Sequence, residues 1–587
     1  MRVAVLEHPS GLSAYIGEIL DAWGLCAWSM IEPGALDELD PQRMPVLILP
    51  AGAASGDGSL CAAAVAYARG GGTVVAMLPS GELARAAGIE VATDKEPPLR
   101  LRLTGPPMAG LTGESLPVVG LASTWRVAED AIVLGFLYRA GRYEGESPGI
   151  VRAGVGEGAV VALAFDLPRA VLMLRQGDPA HREERGRGDQ PARPTQLACD
   201  LGPDEPGWIP YADLLGLLLV DLVEAAVPAP LPRLWHLPGG AAGILLYSGD
   251  EDSAEVAWNR TEFEAVTAAG GRMNMFLIPG NTHSTREDVA AYRRHHDVGP
   301  HPNIRALDGE PVAVRVAEME RQIGQFEEMY GVKARSLRNH CLAWAGYMEP
   351  VEAMARCGLG MEGNYFCSTF LRGRDYAPYA AFGAAMPLRF CHPGGDLLDV
   401  CQQHTHTMDD VYFGPQWVEY SYRMSPSQWE AVLARVLDDV VGRFHVPHAV
   451  CIHPSNWVRF SREQGTALLR QAGERHMPIW SFDQWLAFCE TRRGWRCEAT
   501  QWNGEELLRL ELAGERKMED LHLALPDDWR GRRLADVTVN GESIPGVRVR
   551  RHGRLVRLVS MGGTTTATVT ARYTVAAGCA DTESPSV

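Results

Sequence analysis

Lysine is almost missing: the chain of 587 residues has only Lys95, Lys333 and Lys517 among its 55 basic residues, which face 73 acidic ones. The resulting net charge of −18 excludes a phosphate-gripping surface, because holding nucleic acid or an anionic bilayer takes clustered cations. No CxxC pair occurs among the 12 cysteines, so neither a zinc knuckle nor a thioredoxin-type redox site is expected. Long apolar runs are missing as well; stretches such as 214–220 fall far short of the ~20 residues a membrane-spanning helix needs. The first residues, Met1-Arg2-Val3-Ala4-Val5-Leu6-Glu7-His8, lack the basic stretch and apolar run of a secretory leader, and the expected compartment is the cytoplasm. Nucleotide loops are absent too: there is no G-x-x-x-x-G-K-[ST], and no G-x-G-x-x-G between a strand and a helix. A G-x-S-x-G match at 145–149 puts Pro148 where the residue after the nucleophile must donate an N–H, so it is no serine-hydrolase elbow.

What is present is ordinary globular composition, 46% apolar and 22% charged, in a chain long enough to bury several cores. The pattern predicts an α/β protein. In residues 1–230, apolar strands at 3–6, 45–50 and 73–78 alternate with helices at 14–23 and 60–69, which predicts a parallel open sheet. A β-rich stretch at 100–170, a long loop at 178–207, a helix at 212–226 and a Pro-rich linker at 227–232 follow. The string Val46-Leu47-Ile48-Leu49-Pro50-Ala51-Gly52, then a helix and Gly70-Gly71-Gly72-Thr73-Val74-Val75-Ala76, resembles the class I glutamine-amidotransferase-like fold. That resemblance implies a nucleophilic Cys in the turn after the last strand. The turn here reads Met77-Leu78-Pro79-Ser80-Gly81, so a non-catalytic relative is expected, with Cys61 as a core residue. Its role would be structural, packing on its neighbour or forming a homo-oligomer interface.

Residues 233–495 carry strands at 243–248, 273–278, 297–300, 334–338, 359–362, 397–400, 448–453 and 478–481. Helices at 314–330, 427–441 and 462–475 lie between them, which predicts a barrel of the TIM type or a distorted version of it. From 498 to 575 the helical pattern gives way to short alternating strands, a small β-sandwich, and 576–587 is predicted to be a disordered tail.

Chemistry-bearing side chains collect where the central strands stop, the end at which barrels place their active sites. Ile244-Leu245-Leu246-Tyr247-Ser248-Gly249-Asp250-Glu251-Asp252 runs an apolar strand into three carboxylates. Asp297-Val298-Gly299-Pro300-His301, Arg338-Asn339-His340 and Val450-Cys451-Ile452-His453-Pro454 end strands in imidazoles. The series resembles the polysaccharide deacetylase superfamily (carbohydrate esterase family 4, NodB homology), which implies a distorted (β/α)7 barrel. The resemblance implies Asp250 as general base, Asp252 and His301 as ligands of a divalent metal, usually zinc, Arg338 as the partner that holds the base, and His453 as general acid. It departs at Arg305, four residues after His301, where the family has a second metal His. His340 is the expected substitute, with His404 and His406 as alternatives, since a His-x-His pair on a strand puts both rings on one face. The expected function is metal-dependent hydrolysis of an amide C–N bond, the deacetylation of an N-acetylated sugar or glycoconjugate. The alternative is a non-catalytic carbohydrate-binding or assembly protein on a degenerate barrel.

Overall fold

The computed structural model describes residues 1–9, 11–95, 99–106, 108–139, 142–185, 190–199, 208–367, 382–416, 418 and 420–575. The predicted tail at 576–587 and parts of the predicted 178–207 loop lie outside these residues; the described parts of that loop form two short 3-10 turns, Pro179–His181 and Pro194–Leu197.

The N-terminal sheet has nine strands. Trp28–Ile31, Val3–Leu6, Val46–Leu49, Thr73–Met77 and Gly158–Leu163 run parallel, and Arg142–Val155, Ile132–Arg139, Leu99–Leu103 and Ser115–Val118 extend the sheet antiparallel. Val3–Leu6 and Val46–Leu49 are buried at every position, as strands covered on both faces must be. The turn after Thr73–Met77 is tight enough to hold Leu78 at φ +50°, a left-handed conformation that costs a leucine free energy. The strained corner therefore presents an isobutyl group. Cys61 sits apart from it in the helix Gly58–Arg69, its thiol donating to the Ala54 carbonyl at 3.3 Å and pushed up by burial.

In the central region, hydrogen bonds among the described residues do not close the strands into the expected single barrel; they form two sheets. One is ordered Asp297–Pro300, Asn274–Leu277, Ile244–Asp250, Pro447–Cys451 and Thr407–Met408, all parallel, with Ile479–Trp480 also on Ile244–Asp250. The other is ordered Ser336–Leu337, Met361–Glu362, Leu397–Gln402 and Leu388–Cys391. Asp297–Pro300 and Ser336–Leu337 stand side by side where the sheets meet, so close that a Cβ on Gly299 would lie 2.6 Å from the Ser336 carbonyl oxygen. Ser336–Leu337 and Met361–Glu362, two residues each, pair with each other, and Met361–Glu362 also pairs with Leu397–Gln402, so the ladder stops between Asp297–Pro300 and Ser336–Leu337.

The third region packs two antiparallel sheets, His522–Pro526, Arg554–Ser560 and Val547–Arg551 against Trp495–Trp502, Leu507–Gly514, Thr566–Val575 and Arg532–Val539. The Pro-rich connection is not an exposed tether: Val227, Ala229 and Leu231 are buried, and Arg233–Leu234 adds a strand to His522–Pro526. One apolar core runs unbroken from the N-terminal sheet into the central strands, and a second joins the central region to the sandwich. Among the described residues no helix is long and apolar enough to cross a membrane.

Glu18, on the helix Ser13–Ala22, fastens the first region to the second. Its buried carboxylate meets Arg389 at 2.9 Å and Arg493 at 2.7 Å. Burial pushes its acidity down, but Arg493 and Arg389 overrule this and hold the carboxyl below the usual range. Glu18→Gln should destabilise the protein by about 3–5 kcal/mol at neutral pH, because it strands two arginines. A group whose pKa is depressed on folding stabilises above its unfolded pKa, here 4.5, and ceases to do so as the pH falls through the folded value. The difference between wild type and variant in urea melts should therefore shrink only at acid pH; equal melting midpoints at pH 7 would show the pair to be inert.

Candidate active site

The carboxyl ends of the central strands meet in one pocket. Asp250 ends Ile244–Asp250, and Ser248, two residues back, points the same way, as strand alternation requires. Arg338, which follows Ser336–Leu337, is completely buried between Phe276 and Phe482, whose ring centres lie 5.1 and 5.5 Å from its guanidinium carbon. It donates from Nη1 to Asp250 Oδ1 and Ser248 Oγ, both at 2.9 Å, from Nη2 to Thr405 Oγ1 at 2.9 Å, and from Nε to the Gly363 carbonyl at 3.0 Å. Burial would raise the pKa of Asp250, but Arg338, His301 and His453 prevail and keep its carboxyl below the ordinary range.

His301 follows the strand Asp297–Pro300. Its Nδ1–H donates to the Arg338 carbonyl at 2.7 Å, and Nε2 lies within hydrogen-bond distance of Asp252 Oδ1 at 3.2 Å; burial would lower its pKa, but Asp250 and Asp252 raise it. Asp252 has turned out of the strand into φ +46°, with Ser253 at φ +60° beside it, and its side chain keeps 30% of its surface exposed. Despite its burial, the hydrogen bond from His301 and the charges of His453, His301 and His340 hold its carboxyl far below the usual range. His340 Nε2 lies 3.7 Å from the same Asp252 oxygen, and its ring stands edge-on to His301 at 5.5 Å; burial and the charge of His301 push it down to about 4.

Two of the three separations within this trio suit a metal, those from Asp252 Oδ1, while the three donor atoms do not all lie within 4.8 Å of one another. Donors about 2.1 Å from a tetrahedral zinc stand about 3.4 Å apart, and 3.2 and 3.7 Å bracket that separation. The backbone acceptor on His301 Nδ1 is the usual second partner of a metal-binding imidazole. Arg305 Nη1 lies 3.8 Å from Cys341 Sγ, which in turn lies 3.6 Å from His340 Nε2.

His404 and His406, the alternative ligands, are buried elsewhere. His406 accepts the Ala449 N–H at Nδ1 (2.8 Å), donates from Nε2 to the Ala384 carbonyl (3.1 Å), and stacks on His448, so both nitrogens are occupied. His404 stacks on Tyr365 at 5.7 Å.

His453 brings a partner that sequence reasoning missed. Its Nδ1–H donates to Asp409 Oδ1 at 2.6 Å and its backbone N–H to Asp409 Oδ2 at 3.1 Å, while Nε2 faces Asp252 Oδ2 at 3.6 Å. Ser461 Oγ donates to the same carboxylate at 3.1 Å, so Asp409 is fixed in turn. Burial would lower the His453 pKa, but Asp409, Asp252 and Asp410 raise it well above the usual value. Asp409-Asp410 directly follows the strand Thr407–Met408; the signal was the same strand-end acid that marked Asp250. Glu251, between the two site aspartates, turns away to accept from Thr282 Oγ1 at 2.7 Å.

The trios whose metal-competent atoms all lie within 4.8 Å of one another among the described residues are Asp250–Cys451–His453 and Asp409–Asp410–His453. Burial keeps the Cys451 thiol well above its usual pKa, which makes it a poor ligand, and Asp409 is committed to His453. Asp252, His301 and His340 remain the better set.

No protein-family model matches this chain, and no curated protein matches it. Among solved structures, Agd3, a carbohydrate deacetylase, aligns over 97% of this chain and 98% of its own at 9% identity with a TM-score of 0.42. A cold-adapted β-galactosidase from Rahnella sp. R3 aligns over 28% of each chain at 17% identity and TM-score 0.23. The exo-β-1,4-mannosidase Op5Man5 from Opitutaceae bacterium strain TAV5 covers 29% of this chain and 31% of its own at 12% identity and TM-score 0.23. Likenesses this weak carry no argument about the reaction.

Elemental analysis of the purified protein should find about one equivalent of zinc or a similar metal. Asp252→Ala should bind none and His340→Ala little, whereas His406→Gln should keep its metal; retention in the His340 variant with loss in the His406 variant would reverse the ligand assignment.

Proposed function

We propose that the protein is a metal-dependent hydrolase that removes the acetyl group from an N-acetylated sugar or glycoconjugate. One observation carries this reading. Asp252, with His301 and His340 at 3.2 and 3.7 Å from its Oδ1, stands between a carboxylate held ionised, Asp250 on Arg338, and an imidazole held by a carboxylate, His453 on Asp409. The sugar comes from the resemblance of the strand-end motifs to polysaccharide deacetylases, and the two central sheets are read as one barrel opened at its short strands.

A divalent metal on the trio supplies a Lewis acid that polarises the amide carbonyl and makes water easier to deprotonate. Asp250 is the base: the attacking water forms the C–O bond and gives its proton to the free oxygen Oδ2, while Arg338 on Oδ1 fixes the carboxylate's angle. His453 is the acid. Its Nδ1 is tied to Asp409, so Nε2 carries the proton that the amine nitrogen takes as the C–N bond breaks. The products are acetate and the free amine. Arg338 lies among aromatic rings and cannot be replaced by water, so it holds Asp250 ionised with little room to reorient.

The alternative, a glycan-binding protein without chemistry, draws its support from Arg305 at the position of the family's second metal His. Its prediction is a chain that binds acetylated and deacetylated sugars alike and releases no acetate.

Asp250→Asn and His453→Ala should each lower turnover of N-acetylated oligosaccharides, read as acetate release, by about 10²–10⁴-fold with the metal retained. Asp409→Asn should lower it by about 10–100-fold through loss of the His453 brace. Full activity in either of the first two variants would remove the acid–base assignment.

A further inference from the structure

We propose that the N-terminal region is a working part of the metal site, and that Arg193 is the positioning residue through which it acts. This rests on the reading of His340 as a ligand. The two residues after His340, Cys341 and Leu342, both have φ +55°. A left-handed conformation costs a non-glycine residue on the order of 1–3 kcal/mol, and two in succession persist only where surrounding bonds over-determine the chain.

Part of that constraint is local. Leu342 N–H donates to the Asn339 carbonyl at 2.9 Å, Ala343 N–H to the His340 carbonyl at 3.1 Å, and Asn339 Nδ2 to the Ala343 carbonyl at 2.8 Å. The rest comes from the other region. Arg193 Nε donates to the Cys341 carbonyl at 2.8 Å, and the Trp344 N–H donates to the Ala192 carbonyl at 2.8 Å. These two bonds bracket the strained pair, one on its first carbonyl and one just past its end. Farther along the same segment, Tyr347 OH donates to the Gly177 carbonyl at 3.3 Å and Arg182 pairs with Glu349.

Arg193 is itself braced. Its Nη2 donates to Gln190 Oε1 at 2.8 Å, and its backbone N–H to Gln196 Oε1 at 2.6 Å. The side chain thus arrives at Cys341 with its angle already set. A guanidinium suits this task because its planar fork can serve Gln190 and Cys341 at once. Without it, the Cys341 carbonyl would lose a charge-assisted bond at the point of greatest strain, and the peptide next to His340 would be free to turn. The His340 ring would then leave the distance from Asp252 that a shared metal requires.

The test is zinc affinity, measured by chelator competition on the full chain. Arg193→Ala should weaken zinc binding by about 10–100-fold, the range found when a residue that orients a metal ligand is lost. Arg193→Lys, whose ammonium can still donate to a carbonyl, should recover part of it. An Arg193→Ala protein that binds zinc as tightly as wild type overturns the proposal. Hydrogen exchange on the wild type provides an answer that needs no variant: zinc should slow exchange at 190–199 together with 340–344, and protection of 340–344 alone overturns the coupling. Failure of the underlying reading looks different, since wild type would then bind no zinc that Asp252→Ala abolishes.

Discussion

The guanidinium of Arg338 is out of contact with water, and a charge so placed is tolerated only where acceptors replace its hydration shell. Here they are Asp250, Ser248, Thr405 and the Gly363 carbonyl, with aromatic rings of Phe276 and Phe482 alongside. These residues come from the ends of several strands. Satisfying Arg338 therefore draws those ends to one point, and its own carbonyl orients His301. The proposed base and the proposed metal ligand are both set by one residue whose charge has no other outlet. Removing it would leave Asp250 buried without its counter-charge.

Much of this was legible in the sequence, because it depends on local pattern. Ile244–Asp250 reads as an apolar strand that stops at a carboxylate, and His301, Arg338 and His453 each follow an apolar run, so their placement at one end of the sheets follows from parallel strands. Val3–Leu6, Val46–Leu49 and Thr73–Met77 and their parallel order were equally plain, whereas Trp28–Ile31 and the parallel pairing of Gly158–Leu163 were not read. What could not be read depends on contacts across the chain. Asp409 follows a two-residue strand that gives almost no periodic signal, and its importance is visible only once His453, 44 positions away, lies against it. His404 and His406 matched the spacing of a ligand pair, yet spacing says which face of a strand they share and not what covers it; Tyr365, His448 and backbone groups do. The expected closed ring was a count of strands, and a count does not reveal which neighbours pair: Asp297–Pro300 and Ser336–Leu337 lie side by side without sharing a ladder.

The division into regions also needs restating in physical terms. Composition places a Pro-rich boundary at 227–232, but the chain there is buried and continues as a strand of the last region. Glu18 binds Arg389 and Arg493 across one junction, while Arg175 and Asp213 reach the backbone of Met386, Gln402 and Ala385 across the same one. The corner of the open sheet after Thr73–Met77 carries Leu78 where the amidotransferase-like resemblance implies a cysteine, and the sheet meets the central region through the contacts just named.

The central claim is that Asp252, His301 and His340 hold a metal between Asp250 and His453. Anomalous X-ray diffraction at the zinc edge, from crystals grown with zinc, tests it most directly. The account predicts one strong peak within bonding distance of Asp252 Oδ1, His301 Nε2 and His340 Nε2. A peak seated instead among Asp409, Asp410 and His453, or no peak near Asp252 at all, would contradict it.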